Sequence, residues 1–127
     1  MSVVAVKNNP MLEAVAWKSL KNLLEKFNFN EHEGQILMGN MPRSSYYKGL
    51  QDHKMRLTRD QMERISYLLG IYKSLRILFV DSAQAMSWID RPNDLPPFND
   101  MTPREFMLEG SFLRLAQVRQ FLDFWRG

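Results

Sequence analysis

The sequence predicts an all-α protein, and three observations support this fold class. Apolar residues recur every three or four positions through most of the chain, as on one face of a helix. Residues that favour helix N-termini precede several of these periodic segments, and no segment alternates convincingly between apolar and polar residues. The 127 residues are enough for one domain, or for two small helical lobes that share a core.

The first two helices are predicted at residues 12–27 and 31–38. The first is amphipathic, and its apolar stripe consists of Ala16, Leu20, Leu23, Leu24 and Phe27. Asn30 is the predicted N-cap of the second helix, with Glu33 three residues later to complete a capping box. Gly34, inside the second helix, is expected to let another backbone approach closely.

A third short helix is predicted at residues 43–50, RSSYYKGL. Two short helices joined by a glycine-containing turn are typical of a helix-turn-helix motif. Tyr46 and Leu50 lie four positions apart and are predicted to face the core. The other positions and the polar connector that follows supply the candidate DNA-binding residues, which are Arg43, Ser44, Ser45, Tyr47, Lys48 and Lys54.

These residue types suit DNA recognition. Arginine can pair with guanine in bidentate fashion, serine hydroxyls can bond bases or phosphates, and cations hold the backbone. The alternative is a plain helical hairpin whose polar side is basic. Charge favours DNA, because residues 1–80 contain 12 basic and 7 acidic residues, whereas residues 81–127 carry a balance of −2.

Two further helices are predicted before the longest loop. Thr58 is the expected cap of a helix whose apolar positions are Met62, Ile65, Leu69, Tyr72 and Phe79. Gly70 marks either a break between two helices or a close helix crossing. Asp81 is predicted to cap a helix through Trp88, and the loop at residues 90–101, DRPNDLPPFNDM, is the predicted seam between lobes.

The last two helices follow this loop. Thr102 and Glu105 predict a capping box at the start of the first of them. The second, residues 111–126, has a predicted core stripe of Leu115, Val118, Phe121, Leu122 and Trp125. Leu113 and Phe124 point to the opposite side, so Phe124 either folds back over the preceding loop or contacts a partner.

Several classes of function are not indicated. The chain has no cysteine and no apolar run of about 20 residues, which argues against disulfides, thiolate metal sites and membrane insertion. The start, MSVVAVKNNP, does not have the pattern of a signal peptide, so we expect a cytoplasmic protein. His32 and His53 lack metal-ligand spacing, and no phosphate-binding loop or nucleophile elbow occurs. We therefore expect no catalytic residue, no metal and no cofactor.

Three stretches together resemble the Xre/MbcA/ParS antitoxin family. They are ERISYLLGIYKSLRILF at residues 63–79, the turn WIDRPN at residues 88–93, and the motifs MTPREFMLEG and VRQFLDFWRG within residues 101–127. The resemblance covers residues 14–127 in order and is strongest in the last motif. It implies an Xre-like helix-turn-helix bundle followed by a small helical toxin-binding domain.

The resemblance also implies partners. Residues 1–80 would bind promoter DNA, and residues 81–127 would cover the active-site cleft of a RES-domain toxin, a family that destroys or transfers groups from NAD⁺. A homodimer and a higher toxin–antitoxin complex that represses its own promoter are expected. The implied toxin-binding residues are Arg119, Phe121, Phe124, Trp125, Arg126 and Gly127. Because Trp125 shares the predicted core stripe, Phe124, Arg126 and Gly127 are the stronger candidates for direct contact.

Two features depart from the family pattern. Gly49 stands where family members often have an aromatic residue, and it is expected to weaken the end of the third helix. Asn99 and Asp100 stand where glycines are usual before the cap. Two alternatives remain open: a stand-alone helix-turn-helix transcriptional regulator with a C-terminal dimerisation domain, and a toxin-binding protein without a DNA function.

Overall fold

Helices make up the regular structure in the computed structural model, which describes residues 9–127. In chain order they are α1 (Pro10–Lys26), α2 (Glu31–Leu37), α3 (Arg43–Asp52), α4 (Arg59–Leu78), α5 (Ser82–Ser87), α6 (Pro103–Met107) and α7 (Phe112–Arg126). A 3-10 turn at Trp88–Asp90 continues α5. No strand occurs within residues 9–127, so the predicted all-α class is confirmed. None of the described helices is long and apolar enough to cross a bilayer. The prediction about a signal peptide falls mostly on residues 1–8, outside the described range.

The helices begin where side chains bond their first backbone N–H groups. Asn30 and Glu33 form the capping box predicted for α2, and Thr102 and Glu105 form the one predicted for α6. Thr58 caps α4, as predicted. Such caps stabilise a helix by about 1 kcal/mol each. They matter most for α2 and α6, which are too short to form alone.

Helix α4 is the centre of the core, because it packs against both α1 and α7. The buried apolar side chains form one cluster that extends from α1 to α7, and the predicted stripe of α1 lies wholly within it. The predicted stripe of α4 is partly wrong, since Leu69 is 37% exposed. The buried positions nearby are Leu68, Ile71 and Leu75. Leu69 lies about 120° around the helix from their centre, because successive residues are about 100° apart.

Glycines mark close contacts between helices and correct two expectations. Helix α4 continues through Gly70 without a break, and the guanidinium of Arg119 from α7 lies where a Cβ would be. Of the two alternatives for Gly70, the structure therefore shows the close crossing. Gly34 in α2 admits the hydroxyl of Tyr46, not another backbone as expected.

Gly49 has the same role in α3. The helix continues through it to Asp52, two residues beyond the predicted end. A Cβ at Gly49 would lie 2.1 Å from Cζ2 of the Trp17 ring. Glycine is required here because the fully buried indole of Trp17 packs directly against the α3 backbone.

The proline-rich loop between α5 and α6 is tied into the fold. The backbone N–H of Asp100 donates to the Asn93 carbonyl at 2.8 Å, and the Phe98 ring is 1% exposed. Asn99 and Asp100 have φ angles of 50° and 77°, in the left-handed region. Asparagine and aspartate tolerate this region better than most residues.

Arg104 joins the two parts of the chain. From α6, its Nη2 donates to the Phe27 carbonyl at 2.6 Å and its Nε donates to Asp90 at 2.6 Å. The guanidinium also lies 4.5 Å from the centre of the Phe29 ring. The regions before and after residue 80 therefore share both a core and a partly buried polar junction.

Candidate functional site

Helix α3 presents most of the candidate DNA-binding residues to solvent. Arg43, Ser44, Tyr47 and Lys48 are exposed, and Ser45 is partly buried. Lys54, also exposed, follows the helix. The structure thus brings five of these six residues onto one short helix, with the sixth just beyond its end.

The inward side of α3 is fixed at two points. Tyr46 is 2% exposed, as predicted for a core position, and Leu50 is partly buried beside it. Burial raises the pKa of the Tyr46 phenol to about 12, with the Glu31 carboxylate adding to the effect. Farther along, Trp17 packs on Gly49 while its Nε1 donates to the Met55 carbonyl at 2.8 Å. These contacts hold the orientation of the exposed face.

One residue of this surface was not found by sequence reasoning. Glu31, the first residue of α2, accepts a hydrogen bond from Nε of Arg43 at 2.6 Å. Its second carboxylate oxygen accepts a bond from the Tyr47 hydroxyl. The Arg43 guanidinium also lies 5.3 Å from the centre of the Tyr47 ring. These three side chains form a cluster at the exposed end of α3, here called the Glu31 cluster.

The electrostatics of the Glu31 cluster agree with its geometry. The hydrogen bond from Tyr47 lowers the pKa of the Glu31 carboxyl, and the bond and charge of Arg43 lower it further. Hydrogen bonds with Tyr47 and Glu31, together with the charge of Glu31, raise the pKa of the Arg43 guanidinium. At neutral pH the cluster therefore contains one negative and one positive charge. The only signal in the sequence was an acidic residue at the start of a helix, where acidic residues are common.

Helix α7 ends in a pair of exposed aromatic rings. Phe124 is 79% exposed, so it faces away from the core as predicted and does not fold back over the loop. Trp125 is 54% exposed, and its assignment to the core stripe is wrong. The other residues of the predicted stripe face the core: Leu115, Val118 and Leu122 are buried, and Phe121 is partly buried.

Two open grooves flank Trp125 and explain its exposure. One, of about 560 Å³, lies between α7 and the loop at residues 95–97 and is lined by Phe121 and Phe124. The other, of about 280 Å³, lies toward the end of α4 and is lined by Leu78 and Trp88. Leu95 borders both grooves. The neighbours of Trp125 thus surround open space and leave much of the indole uncovered.

Phe121 supports this surface from below. Its ring lies 5.0 Å from that of Phe98 and 6.0 Å from that of Trp88, centre to centre. Its centre is also 6.2 Å from the centre of the Trp125 ring. Phe121 therefore connects the exposed pair to the core. We call the surface formed by Leu95, Phe121, Phe124 and Trp125 the aromatic tip.

The two arginines predicted to bind the toxin fold against the protein. Arg119 lies over Gly70 and donates from Nε to both carboxylate oxygens of Asp123, at 3.0 and 3.1 Å. Arg126 lies 3.4 Å from the hydroxyl of Ser74 in α4 and 3.8 Å from Asp123. Neither guanidinium projects freely beside the aromatic rings, and Gly127 follows them in an exposed position.

The remaining titratable residues form no obvious reactive centre in the described part of the chain. No group of three or more potential metal-ligating residues occurs within residues 9–127. His32 is exposed, whereas His53 is partly buried at the end of α3. Its Nε2 is buried without a hydrogen-bond partner among these residues. His53 also has a φ of 61°, which ends the helix.

Comparison with known proteins shows that the aromatic tip lies within a known type of domain. Residues 74–127 match the family described as the antitoxin Xre/MbcA/ParS C-terminal toxin-binding domain. An uncharacterized protein of Sinorhizobium fredii, y4oB, is 40% identical over 91 residues, which cover 72% of this chain and 68% of that protein. The C-terminal part is thus an antitoxin domain whose partner class is a toxin protein. The chain belongs to the Xre/MbcA/ParS antitoxin family.

Proposed function

We propose that this antitoxin neutralises a RES-domain, NAD⁺-consuming toxin in the cytoplasm by placing the aromatic tip over the toxin's active-site cleft. The observation that carries the proposal is the exposed pair of Phe124 and Trp125 beside two apolar grooves. Exposed aromatic rings of this size are costly to leave in water. Aromatic residues and arginine also contribute most to binding energy in protein interfaces.

The chemistry of a dinucleotide site agrees with this surface. Flat apolar rings such as Phe124 and Trp125 can stack where a base or nicotinamide ring binds. Arg126 has the planar donor geometry that matches a phosphate subsite or a toxin carboxylate. Because Arg126 now rests against Ser74, toxin binding in this way would include its release from α4. Arg119 would stay on Gly70 and contact the toxin at the rim of the interface.

Substitution of the aromatic pair tests this function. The double variant Phe124→Ala and Trp125→Ala should lose at least tenfold in inhibition of the toxin that co-purifies with the wild-type antitoxin, measured by NAD⁺ consumption, because interface aromatics are frequent hot spots. The double variant Leu12→Ala and Val15→Ala is the matched control, since both residues are apolar and exposed, at 57% and 59%, on α1. Undiminished inhibition by the aromatic double variant would refute the site. Tight binding of a toxin that leaves NAD⁺ unchanged would refute the RES assignment alone.

We further propose that residues 1–80 bind promoter DNA through α3. The exposed residues of this helix combine cations and hydroxyls, and Tyr46 and Gly49 fix its orientation. Lys48→Ala should reduce the slope of log affinity against log salt by about 0.9, the effect of one lost phosphate contact. Lys73→Ala, an exposed lysine of α4, should change that slope little. Equal slopes for both variants in gel-shift titrations would contradict a DNA-binding α3.

A homodimer, and a larger complex with toxin, complete the proposal. Helix-turn-helix proteins commonly read two half-sites as dimers, which requires two copies of α3 at a fixed spacing. Light scattering should give twice the 15.0 kDa mass for the antitoxin alone and a larger assembly after toxin is added. A monomer in both samples would contradict this part of the proposal.

A further inference from the structure

The Glu31 cluster suggests how α3 distinguishes bases from phosphates. Resting on the DNA-binding function proposed above, we propose that Glu31 is a positioning residue that directs Arg43 and Tyr47 toward base edges. The cluster is well placed for this role because both of its donors lie on the exposed side of α3. Both carboxylate oxygens of Glu31 are used, one by each donor.

The hydrogen bond made by Tyr47 limits what its hydroxyl can contact. A phenol has one proton to donate and lone pairs with which to accept. With its proton directed at Glu31, Tyr47 can only accept further bonds. Phosphate oxygens are acceptors, so they are poor partners for this hydroxyl. The exocyclic amino groups of adenine and cytosine are donors in the major groove and suit it well.

The hydrogen bond from Arg43 to Glu31 fixes the guanidinium and leaves its two terminal NH₂ groups available to bind a base. Only Nε is bonded to Glu31, and neither Nη1 nor Nη2 bonds another described residue. Two parallel N–H groups on a held guanidinium match the two acceptors on the edge of guanine. The Tyr47 ring beneath Arg43 restricts it further. Less conformational freedom is then lost when a base is bound.

The charge of Glu31 also favours contacts with bases over contacts with phosphates. The carboxylate neutralises Arg43 locally and repels the phosphate backbone, which weakens binding to DNA of any sequence. A contact that is preoriented for bases but unattractive to phosphates raises specificity more than affinity. Glu31 thus acts through Arg43 and Tyr47, without a contact of its own to DNA.

Removing Glu31 tests this role with a matched control. Glu25→Ala makes the same change in charge, and Glu25 borders the same surface groove as Glu31. Its side chain forms no hydrogen bond or ion pair with α3, however. Wild type, Glu31→Ala and Glu25→Ala are titrated at several salt concentrations. The probes are a duplex from upstream of this gene and a random duplex of equal length.

Loss of specificity in one variant only is the expected result. Glu31→Ala should bind random DNA several-fold more tightly, with a salt slope steeper by up to about one. Its preference for the upstream duplex should fall about tenfold, as expected for loss of one good bidentate base contact. Glu25→Ala should keep the wild-type preference. Glu31→Gln, which keeps the shape and one acceptor, should lie between them and replaces Glu31→Ala if that variant does not fold.

Three outcomes would overturn the inference. An unchanged preference in Glu31→Ala would show that Glu31 only weakens binding in general, without positioning the other two residues. Equal changes in Glu31→Ala and Glu25→Ala would show an effect of charge alone. If wild type itself shows no preference for the upstream duplex, the DNA-binding function fails first, and the role of Glu31 fails with it.

Discussion

Replacement of Gly49 by alanine should destabilise this protein, although alanine is the better helix former. The new Cβ would lie 2.1, 2.3 and 2.4 Å from three atoms of the Trp17 ring, where about 3.5 Å or more is needed. The indole cannot move aside easily, because it is fully buried and its Nε1 is bonded to Met55. The ring and α3 must therefore separate by more than about 1 Å.

The size of the effect follows from three contributions. Overpacking a core costs about 1–3 kcal/mol, and weakening the buried Trp17 hydrogen bond costs about 1–3 kcal/mol more. Alanine recovers about 1 kcal/mol of helix propensity. The expected net loss in the free energy of unfolding is about 1–5 kcal/mol, measured by urea denaturation with circular dichroism.

Gly70→Ala is the informative comparison. Its Cβ would also clash, at 1.7 Å, but with Nη1 of Arg119, near the end of a flexible and partly exposed side chain. Arg119 can move at the cost of a surface ion pair worth about 0–1 kcal/mol, while the helix gains about 1 kcal/mol. Gly70→Ala should thus remain within about 1 kcal/mol of wild type. The reasoning would be refuted if Gly49→Ala were as stable as wild type, or if both variants lost the same amount.

Three further predictions concern pH, the polar junction and the last helix. Because folding raises the pKa of Tyr46, the folded state favours its neutral phenol. The contribution of that phenol to the free energy of unfolding is complete below about pH 10 and is lost as pH rises toward 12. Unfolding of Tyr46→Phe, measured across that range, should depend less steeply on pH. Arg104→Met should lose about 2–3 kcal/mol in urea denaturation, since it leaves the Phe27 carbonyl without its charged donor. Leu122→Ala should cost about 2–5 kcal/mol, whereas Phe124→Ala should cost less than about 0.5 kcal/mol in the same assay, because only Leu122 is buried. Similar losses for the last two variants would contradict the exposure of the aromatic tip.

The features that sequence predicted correctly are local ones. A capping box such as Asn30 with Glu33 involves residues three positions apart, so its parts are visible in the sequence. The inward side of α3, with Tyr46, follows from helical spacing alone. The exposed direction of Phe124 could be predicted in the same way, because it depends on the angle around one helix.

The features that were missed depend on contacts between distant residues. Periodicity places Trp125 on the side of Leu122, but it does not show that the grooves beside Trp125 remain open. Glu31 meets Tyr47 across 16 positions, and Arg104 meets Phe27 across 77. No local pattern indicates such pairs. For Gly70, the sequence left a break and a crossing equally open, and only the position of Arg119 decided between them.

The continuous core has a consequence for how toxin specificity can change during evolution. Helix α4 packs against α1, in the region proposed to bind DNA, and against α7, in the toxin-binding domain. The bond from Arg104 to the Phe27 carbonyl joins the same two regions. Recombination between relatives near residue 80 would combine an α4 and an α7 that had not diverged together, and the hybrid would lose core packing. New toxin partners are therefore expected to arise by point substitution at exposed positions such as Phe124, and module exchange between relatives should leave few functional descendants.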